Sequence, residues 1–307
     1  MLDVHRLRLL RELHRRGTLA AVARALSYSP SAVSQQLSLL EHETGVQLLE
    51  RVGRGVRLTA PARVLVEHAD AVIERLERAE ADLAASLSEV TGTVRVASFQ
   101  TVLLALVPAA LTRLAAEHPA LRVEITQLEP EEAFAALLAH DVDLVLGEEY
   151  PGLPRVLEDG VDEEDLAHDG LRLALPRHGP LARLPEDLAA LAGAPWVMDP
   201  PASLPARWAV ARCRAAGFEP DVRIETPDPL LQSHLVETGH AVALLPDLLW
   251  TQLHPDLRLA ALPGDPVRRL YTGARRGTAG HPAVRALRGA LRGALGHTRS
   301  TGLAPVR

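Results

Sequence analysis

Residues 20–59 constrain this chain more than any other segment, because they read as helix, tight turn, helix and short ribbon. At the turn, Ser29 is a natural N-cap and Pro30 suits the first helical position, where a missing N–H costs nothing. The second helix carries an apolar stripe at i, i+4 and i+7, which predicts a face packed on a core. The stripe consists of Val33, Leu37 and Leu40.

The opposite face of that second helix is polar but carries no charge between residues 30 and 40. Short hydroxyl and amide side chains suit a helix that enters the DNA major groove and bonds to base edges and phosphates. A solvent-facing helix of a small helical domain is the alternative interpretation. The candidate DNA contacts of this helix-turn-helix are Thr18, Ser29, Ser31, Ala32, Ser34, Gln35 and Ser38.

An arginine-rich ribbon follows the second helix. Arg51, Arg54 and Arg57 recur at intervals of three around Gly53 and Gly55. A glycine-rich hairpin that carries Arg can lie along the phosphate backbone as a wing. Arg51 and Arg54 therefore join the candidate DNA contacts, and the first 59 residues are predicted to form a winged helix-turn-helix.

Residues 26–59 resemble the DNA-binding signature of the LysR-type transcriptional regulators, as does the layout of the chain beyond them. The quoted run is L-S-Y-S-P-S-A-V-S-Q-Q-L-S-L-L-E-H-E-T-G-V-Q-L-L-E-R-V-G-R-G-V-R-L-T. Three departures stand out: Pro30 replaces a frequent DNA-contacting Gln, Leu49 replaces the usual wing Phe, and residues 60–61 read Ala-Pro rather than Ala-Gly.

Charge is distributed unevenly along the chain. Residues 1–59 contain nine Arg against five acidic residues, whereas the remainder is acidic enough to bring the whole chain to −6. A basic N-terminal segment followed by an acidic remainder fits a nucleic-acid-binding module joined to a different kind of domain.

Composition also indicates the cellular compartment in which the protein is expected. The sequence shows no basic, apolar leader, and its longest apolar run, residues 102–111, is about half a membrane span. Cys213 is the only cysteine, so an intrachain disulfide is excluded. We expect a cytoplasmic protein in which Cys213 is a small buried residue rather than a redox sensor.

Residues 60–90 predict a linker and dimerisation helix. Apolar residues follow at alternating intervals of three and four, which is a heptad seam. Such a seam requires a partner helix, most simply that of a second subunit, although a helix lying on its own domain is the alternative. The seam is Ala62, Leu65, Ala69, Val72, Leu76, Ala79 and Leu83.

Residues 91–307 predict an α/β domain, because strand patterns alternate with helix patterns, which favours a largely parallel sheet. A polar Pro, Gly and Asp-rich stretch at residues 150–170 interrupts the alternation, which then restarts. Two lobes of this kind resemble the effector domain of the family, which is similar to periplasmic binding proteins. The predicted fold class is thus α/β with an all-α N-terminal part.

Ligands of open α/β sheets sit beyond the carboxyl ends of the strands, near helix N-termini. The resemblance implies an effector cleft between the lobes at the same positions. We expect a small polar effector, with Ser98 and Thr101 donating to a carboxylate or similar anion, and acids opposite that would favour an additional amine. Helix caps at Ser98 and Ser203 and a turn at Asp228 are the simpler alternatives. The candidate effector-binding residues are Ser98, Gln100, Thr101, Glu148, Asp199, Ser203, Thr226 and Asp228.

These patterns favour a sequence-specific regulator of transcription controlled by a small-molecule effector. The expected partners are double-stranded DNA, the effector and a second copy in a homodimer or homotetramer, with RNA polymerase as a further candidate. Catalytic, cofactor and metal-site motifs are not expected. Two alternatives remain: a two-lobed binding protein or enzyme with an N-terminal oligomerisation module, and a nucleoid-type architectural protein.

Overall fold

The computed structural model describes residues 1–53, 55–154, 159–251, 253, 255–295 and 304–305. It divides the chain into two compact units. The first contains Met1–Ser88, Leu138–His140 and Arg275–Pro282, and the second contains Glu89–Leu137, Asp141–Ala274 and Ala283–Arg307.

Three short helices form the body of the first unit: α1 (Val4–Arg16), α2 (Leu19–Ala25) and α3 (Pro30–Thr44). Each begins at a side-chain cap, because Asp3, Thr18 and Ser29 accept backbone N–H groups of the first turn. Gly17 and Gly45, both in the left-handed region, end α1 and α3. The predicted start of α3 at Ser29 and Pro30 is confirmed.

The core of this unit is aliphatic. Leu7, Leu10 and Leu13 of α1 pack on Leu37 and on the other members of the predicted stripe, all almost fully buried. The ribbon follows as β1 (Leu49–Val52) and β2 (Gly55–Leu58), antiparallel with Leu49 opposite Leu58. The winged helix-turn-helix is therefore present as predicted.

The linker helix α4 (Ala60–Ala85) corrects part of the predicted seam. Ala62 and Ala69 are buried in the core of the same unit, because the first half of α4 packs against α1. From Val72 onward the seam is open: Val72 is 40% exposed, Leu76 45% and Leu83 70%. Only this second half is available to a partner helix.

The first lobe of the second unit contains alternating strands and helices, as predicted. The elements are β3 (Gly92–Ser98), α5 (Gln100–Ala105), α6 (Val107–Glu117), β4 (Leu121–Gln127), α7 (Pro130–Leu138) and β5 (Leu144–Glu149). Strand β3 lies between β4 and β5 and is parallel to both. The single helix expected after β3 is interrupted at Leu106, which separates α5 from α6.

A long strand, β6 (Val161–Pro176), begins inside the stretch that the sequence marks as irregular. Its acidic start is stable as a strand because successive side chains point to opposite faces. Asp162 and Glu164 pair with Arg288, whereas Glu163 and Asp165 pair with Arg269. The expectation of an irregular segment up to residue 170 was wrong for this reason.

The second lobe forms around the far half of β6. Its elements are β7 (Pro195–Met198), α8 (Leu204–Ala215), β8 (Asp221–Glu225), α9 (Pro229–Glu237), β9 (Ala243–Pro246) and β10 (Leu257–Ala261). The chain returns to the first lobe as β11 (Val267–Arg275) and α10 (Pro282–Ala294). A two-residue strand, β12 (Ala304–Pro305), pairs with β6.

The sheet is mixed rather than largely parallel. Strands β9 and β10 are antiparallel to β6, and β11 is antiparallel to β5. Strand β6 continues through both lobes and joins their strands into one eight-stranded sheet. The parallel pairs β3–β4, β3–β5 and β7–β8 keep the predicted arrangement at the strand ends that face the pocket described below.

Among the described residues, no helix is both long enough and apolar enough to cross a membrane.

Candidate functional site

The polar face of α3 is exposed. Ser31, Ser34, Gln35 and Ser38 are all accessible, whereas Ala32 is half-buried. Ser34, Gln35 and Ser38 make no side-chain hydrogen bond among the described residues, which leaves their donors and acceptors for another molecule. Ser29 and Ser31 instead form hydrogen bonds within the helix. The Ser29 hydroxyl accepts the Ala32 N–H at 3.1 Å and lies 2.9 Å from the Ser31 hydroxyl.

Thr18 and the wing complete this surface. Thr18 accepts the Ala21 N–H at 3.1 Å and so fixes the start of α2. Arg51 is exposed on β1 and, within the described part of the chain, forms no ion pair. Arg57 instead bonds to Glu50 at 2.7 Å across the ribbon. Arg54, the other wing candidate, lies outside the described residues.

Glu41 joins the recognition helix to the wing, a role that the sequence interpretation missed. Its Oε1 accepts the backbone N–H groups of Leu48 and Leu49, at 2.8 and 2.9 Å. Glu41 therefore holds the start of β1 against the end of α3. The Leu40-Glu41 pair of the motif was a signal that could have suggested it.

A pocket lies between the two lobes of the second unit, at the carboxyl ends of the parallel strands. Its free volume is about 50 Å³, enough for a few water molecules. Polar and aromatic side chains line it together with four prolines. The lining includes Phe99, Gln100, Thr101, Glu129, Glu148, Tyr150, Asp199, Pro205, Trp208, Pro227, Pro229, Gln232, Pro246 and Arg268.

Arg268, on β11, is the central cation of the pocket and is 2% exposed. Its Nε donates to Asp169 at 2.8 Å, one terminal nitrogen bonds to Glu148 at 2.5 Å, and the other to Thr101 at 2.8 Å. The remaining N–H groups contact the Tyr150 hydroxyl at 3.5 Å and the Asp169 carboxylate at 2.7 Å. All five donors of the guanidinium are thus engaged inside the protein.

Burial and the neighbouring charges together set the pKa values of this cluster. Burial alone lowers the pKa of Arg268, but Asp169, Tyr150 and Glu148 outweigh it, so the pKa is raised and the residue stays charged. Burial raises the pKa of Glu148 and of Asp169, with Arg268 opposing the change in both. The group is therefore a compact ion cluster in which one cation faces two carboxylates.

Two further acids reach the pocket. Burial raises the pKa of Asp199, although a 2.9 Å hydrogen bond from Gln232 opposes the change. Burial and then the charges of Glu148 and Asp199 raise the pKa of Glu129 to about 7. Glu129 accepts no side-chain hydrogen bond among the described residues. The lining therefore contains three carboxyl groups, Glu129, Glu148 and Asp199, and one basic side chain, Arg268.

The structure brings together half of the eight predicted effector residues. Gln100, Thr101, Glu148 and Asp199 line the pocket. Asp228 lies at its edge and accepts a 3.1 Å hydrogen bond from Gln100, which links the two lobes.

The other three predicted residues have structural contacts instead. Ser98 is fully buried and donates to the Phe99 carbonyl at 3.3 Å. Ser203 caps α8, as its simpler alternative had it. Thr226 contributes backbone and side-chain oxygens to Gln232 and Asp228.

The expected anion site at the start of the first crossover helix stays a prediction. Helix α5 has only six residues and starts without a side-chain cap. The hydroxyl of Thr101 accepts from Arg268 and keeps its own O–H. Asp228 occupies the first N–H groups of α9, and Ser203 occupies that of Ala206 in α8. Prolines supply no N–H at Pro205 or Pro229. The helix N-termini of the second lobe therefore leave few donors for an anion.

Sequence reasoning missed the pocket residues that come from distant parts of the chain, notably Arg268, Tyr150, Trp208 and Glu129. No local motif marks them. The signal that could have found Arg268 is the Arg268-Arg269 pair at the start of a buried strand pattern.

Cys213 is fully buried in the core of the second lobe, as expected. Burial raises the pKa of its thiol to about 12, which disfavours the reactive thiolate. No group of three or more His, Cys, Asp or Glu side chains within the described ranges could hold a metal ion.

Two family models match the chain. Residues 4–63 match the bacterial regulatory helix-turn-helix protein of the LysR family, and residues 87–296 match the LysR substrate-binding domain. The matches cover most of the chain and include both candidate sites. The chain belongs to the LysR family of transcriptional regulators.

Similar proteins agree with this assignment. The HTH-type transcriptional regulator ClcR of Pseudomonas putida is 29% identical over 262 residues, which span 83% of this chain and 87% of the relative. A full-length OxyR structure from Pseudomonas aeruginosa has the same fold, with a TM-score of 0.68, 19% identity and 95% of each chain covered. CbnR in complex with its target DNA has a TM-score of 0.51 and 23% identity, with 98% of this chain and 100% of that one covered.

The protein is thus a DNA-binding transcriptional regulator with a small-molecule effector domain, and it is not an enzyme. The family assignment excludes both alternatives, the two-lobed binding protein or enzyme and the architectural protein.

Proposed function

We propose that α3 reads base edges through Ser34, Gln35 and Ser38, while Ser31 and the backbone around Ala32 approach the phosphates. The observation that carries this proposal is the exposed, uncharged and unbonded polar face of α3. Such side chains bond to bases without the nonspecific attraction that a charged face would add. Thr18 and Ser29 contribute by fixing the starts of α2 and α3, where N–H groups can meet a phosphate.

The wing supplies the nonspecific part of the affinity. Arg51 is exposed and unpaired among the described residues, so it can neutralise a phosphate and release a counterion. Arg54 is proposed for the same role on the basis of its place in the hairpin. Arg57 contributes less, since Glu50 already binds it.

Each of the three parts of the chain has its own role. Residues 1–59 bind DNA, residues 60–90 link and dimerise, and residues 91–307 bind the effector. The pocket between the lobes holds the effector, with Gln100, Thr101, Glu148 and Asp199 on its wall. Since the target is DNA, we place the protein in the cytoplasm.

Competition binding on matched and scrambled DNA tests whether α3 reads base edges. Ser34→Ala and Gln35→Ala should each cost about 1–3 kcal/mol on the matched site and much less on the scrambled one. Arg51→Ala should weaken both sites alike and reduce the salt slope by about one counterion. Ser88→Ala, an exposed serine away from α3, is the control. Equal losses on both DNAs for Gln35→Ala would refute its role in base reading.

A further inference from the structure

We infer that the effector presents a small organic cation, an ammonium or amidinium group, together with a hydrogen-bond acceptor, to the pocket between the lobes. This inference rests on the proposed effector role of the pocket and adds the chemical class of the ligand. Four features of the pocket wall carry it: its three carboxyl groups, the occupied N–H groups of the second lobe, one unpaired indole N–H and the pocket volume.

The charge of the wall favours a cation. Glu129, Glu148 and Asp199 line the pocket, whereas Arg268 is its only basic lining residue within the described part of the chain. Arg268 gives all of its donors to the protein, with Asp169 as its second carboxylate partner. The guanidinium of Arg268 therefore already pairs with two carboxylates, those of Glu148 and Asp169. Among the described residues, Glu129 and Asp199 have no positively charged partner of their own. A bound cation would supply it.

The second lobe is also poor in groups that could hold an anion, which leaves the short, uncapped start of α5 in the first lobe. The N-terminal N–H groups of α8 and α9 are occupied by Ser203 and Asp228. Four prolines line the rim and offer no N–H: Pro205, Pro227, Pro229 and Pro246. A carboxylate ligand would have to approach three carboxyl groups, Glu129, Glu148 and Asp199, which is costly.

Trp208 indicates that the ligand also carries a hydrogen-bond acceptor. It lines the pocket, is 2% exposed, and its indole N–H has no hydrogen-bond acceptor among the described residues. A buried donor without a partner is costly, and its nearest aromatic neighbour, Tyr150, has its ring centre 5.7 Å away. A hydroxyl or carbonyl oxygen on the ligand would satisfy the N–H.

The size of the pocket bounds the group that binds. About 50 Å³ is free in this conformation, so the buried part has few non-hydrogen atoms. A metal ion is the other cation to consider, but no metal-ligating group of three or more His, Cys, Asp or Glu side chains exists among the described residues. An organic cation with directional N–H donors fits both the volume and the carboxylates.

Titration calorimetry on the full chain tests the inference with three probes of similar size. Ethanolamine carries a cation and a hydroxyl, ethylene glycol is its neutral counterpart, and glycolate is its anionic one. Ethanolamine should bind saturably, and the other two should bind at least tenfold more weakly. Methylguanidinium, a flat cation, should compete with ethanolamine.

Variants separate this inference from the regulator assignment. Asp199→Asn and Glu129→Gln should each weaken ethanolamine at least tenfold, whereas the exposed acid variant Asp221→Asn should leave it unchanged. Preferred binding of glycolate, or no binding of either cation, overturns the inference. DNA binding by the same protein samples is measured in parallel, because its loss would instead count against the proposed function.

Discussion

At the scale of single residues, burial decides which charges this protein can use. Arg268 and Glu129 lie in the same pocket but differ in their neighbours. The guanidinium of Arg268 is surrounded by acceptors, whereas the Glu129 carboxylate faces other acids. Glu129 is therefore the pocket group whose charge changes near neutral pH.

The first prediction concerns the pH dependence of cation binding. Ionised Glu129 attracts a cation and protonated Glu129 does not, so ethanolamine affinity should rise with pH up to about 7 and level off above it. The alkylammonium itself stays charged throughout this range. Calorimetry between pH 5.5 and 8.5 measures the effect, and Glu129→Gln should flatten the profile. An affinity that falls as pH rises would contradict the assignment.

The same shift predicts a stability change of defined sign. The pKa of Glu129 is raised from 4.5 to about 7 in the folded state, so the folded protein binds more protons between these values. Stability should therefore fall as pH rises from 4.5 to 7 and stay lower above. Thermal unfolding of Glu129→Gln should show a gain over the wild type at pH 8 that disappears at pH 4. A gain at pH 4 alone would show that the sign is wrong.

A buried ion pair in α1 gives a prediction about folding. Arg11 and Glu12 are 2% and 1% exposed and bond at 3.1 Å. Burial, followed by the charge of Arg15, lowers the pKa of Arg11. Glu12→Ala removes the hydrogen-bonded partner of this buried charge, leaves only the longer 3.9 Å contact to Asp70 among the described residues, and should cost about 3–5 kcal/mol.

Urea unfolding followed by helical circular dichroism and by DNA binding measures this cost. Glu43→Ala is the matched control, because Glu43 pairs with Arg6 where both side chains are partly exposed. Removing such a pair should cost less than about 1 kcal/mol. Similar losses for the two variants would show that burial of the pair does not set its importance.

At the scale of elements, the connection between α3 and the wing depends on one carboxylate. Glu41 accepts two backbone N–H groups at the start of β1. Glu41→Ala should free the wing and lower DNA affinity on matched and scrambled DNA alike, with a stability loss of about 1.5–3 kcal/mol. Glu41→Gln keeps an oxygen acceptor and should recover most of the affinity in a gel shift. Failure of the amide variant to recover it would indicate that the charge, rather than the two bonds, matters.

Helix α4 gives the next prediction. Val72 and Leu76 are exposed apolar residues on the open half of the seam. Val72→Asp with Leu76→Asp should place charges in an apolar contact and split the oligomer. Light scattering measures the mass, and Ala71→Asp, at an exposed position on another face of α4, is the control. An unchanged oligomer in the double variant would refute the seam as an interface.

At the scale of the whole molecule, local signals predicted the N-terminal unit and the order of elements far better than the sheet. Caps such as Ser29 and the stripe around Leu37 act over a few residues, so the sequence displays them directly. Strand β6 could not be predicted, because its acidic residues are stabilised by Arg269 and Arg288, more than a hundred positions away. The pocket shows the same limit: residues at strand ends were found, whereas Arg268 and Trp208 reach it only through the tertiary fold.

The last prediction concerns the link between the pocket and DNA. An effector can change DNA affinity only if it binds two arrangements of the chain with different affinity, and the coupling must then be reciprocal. Couplings of this kind are typically 5–150-fold. With a DNA site selected by the protein itself, ethanolamine should change DNA affinity by some factor, and DNA should change ethanolamine affinity by the same factor. Asp199→Asn should keep the DNA affinity of the ligand-free protein but remove the response to ethanolamine. If the variant still responded as the wild type does, the ligand would act through a site other than this pocket.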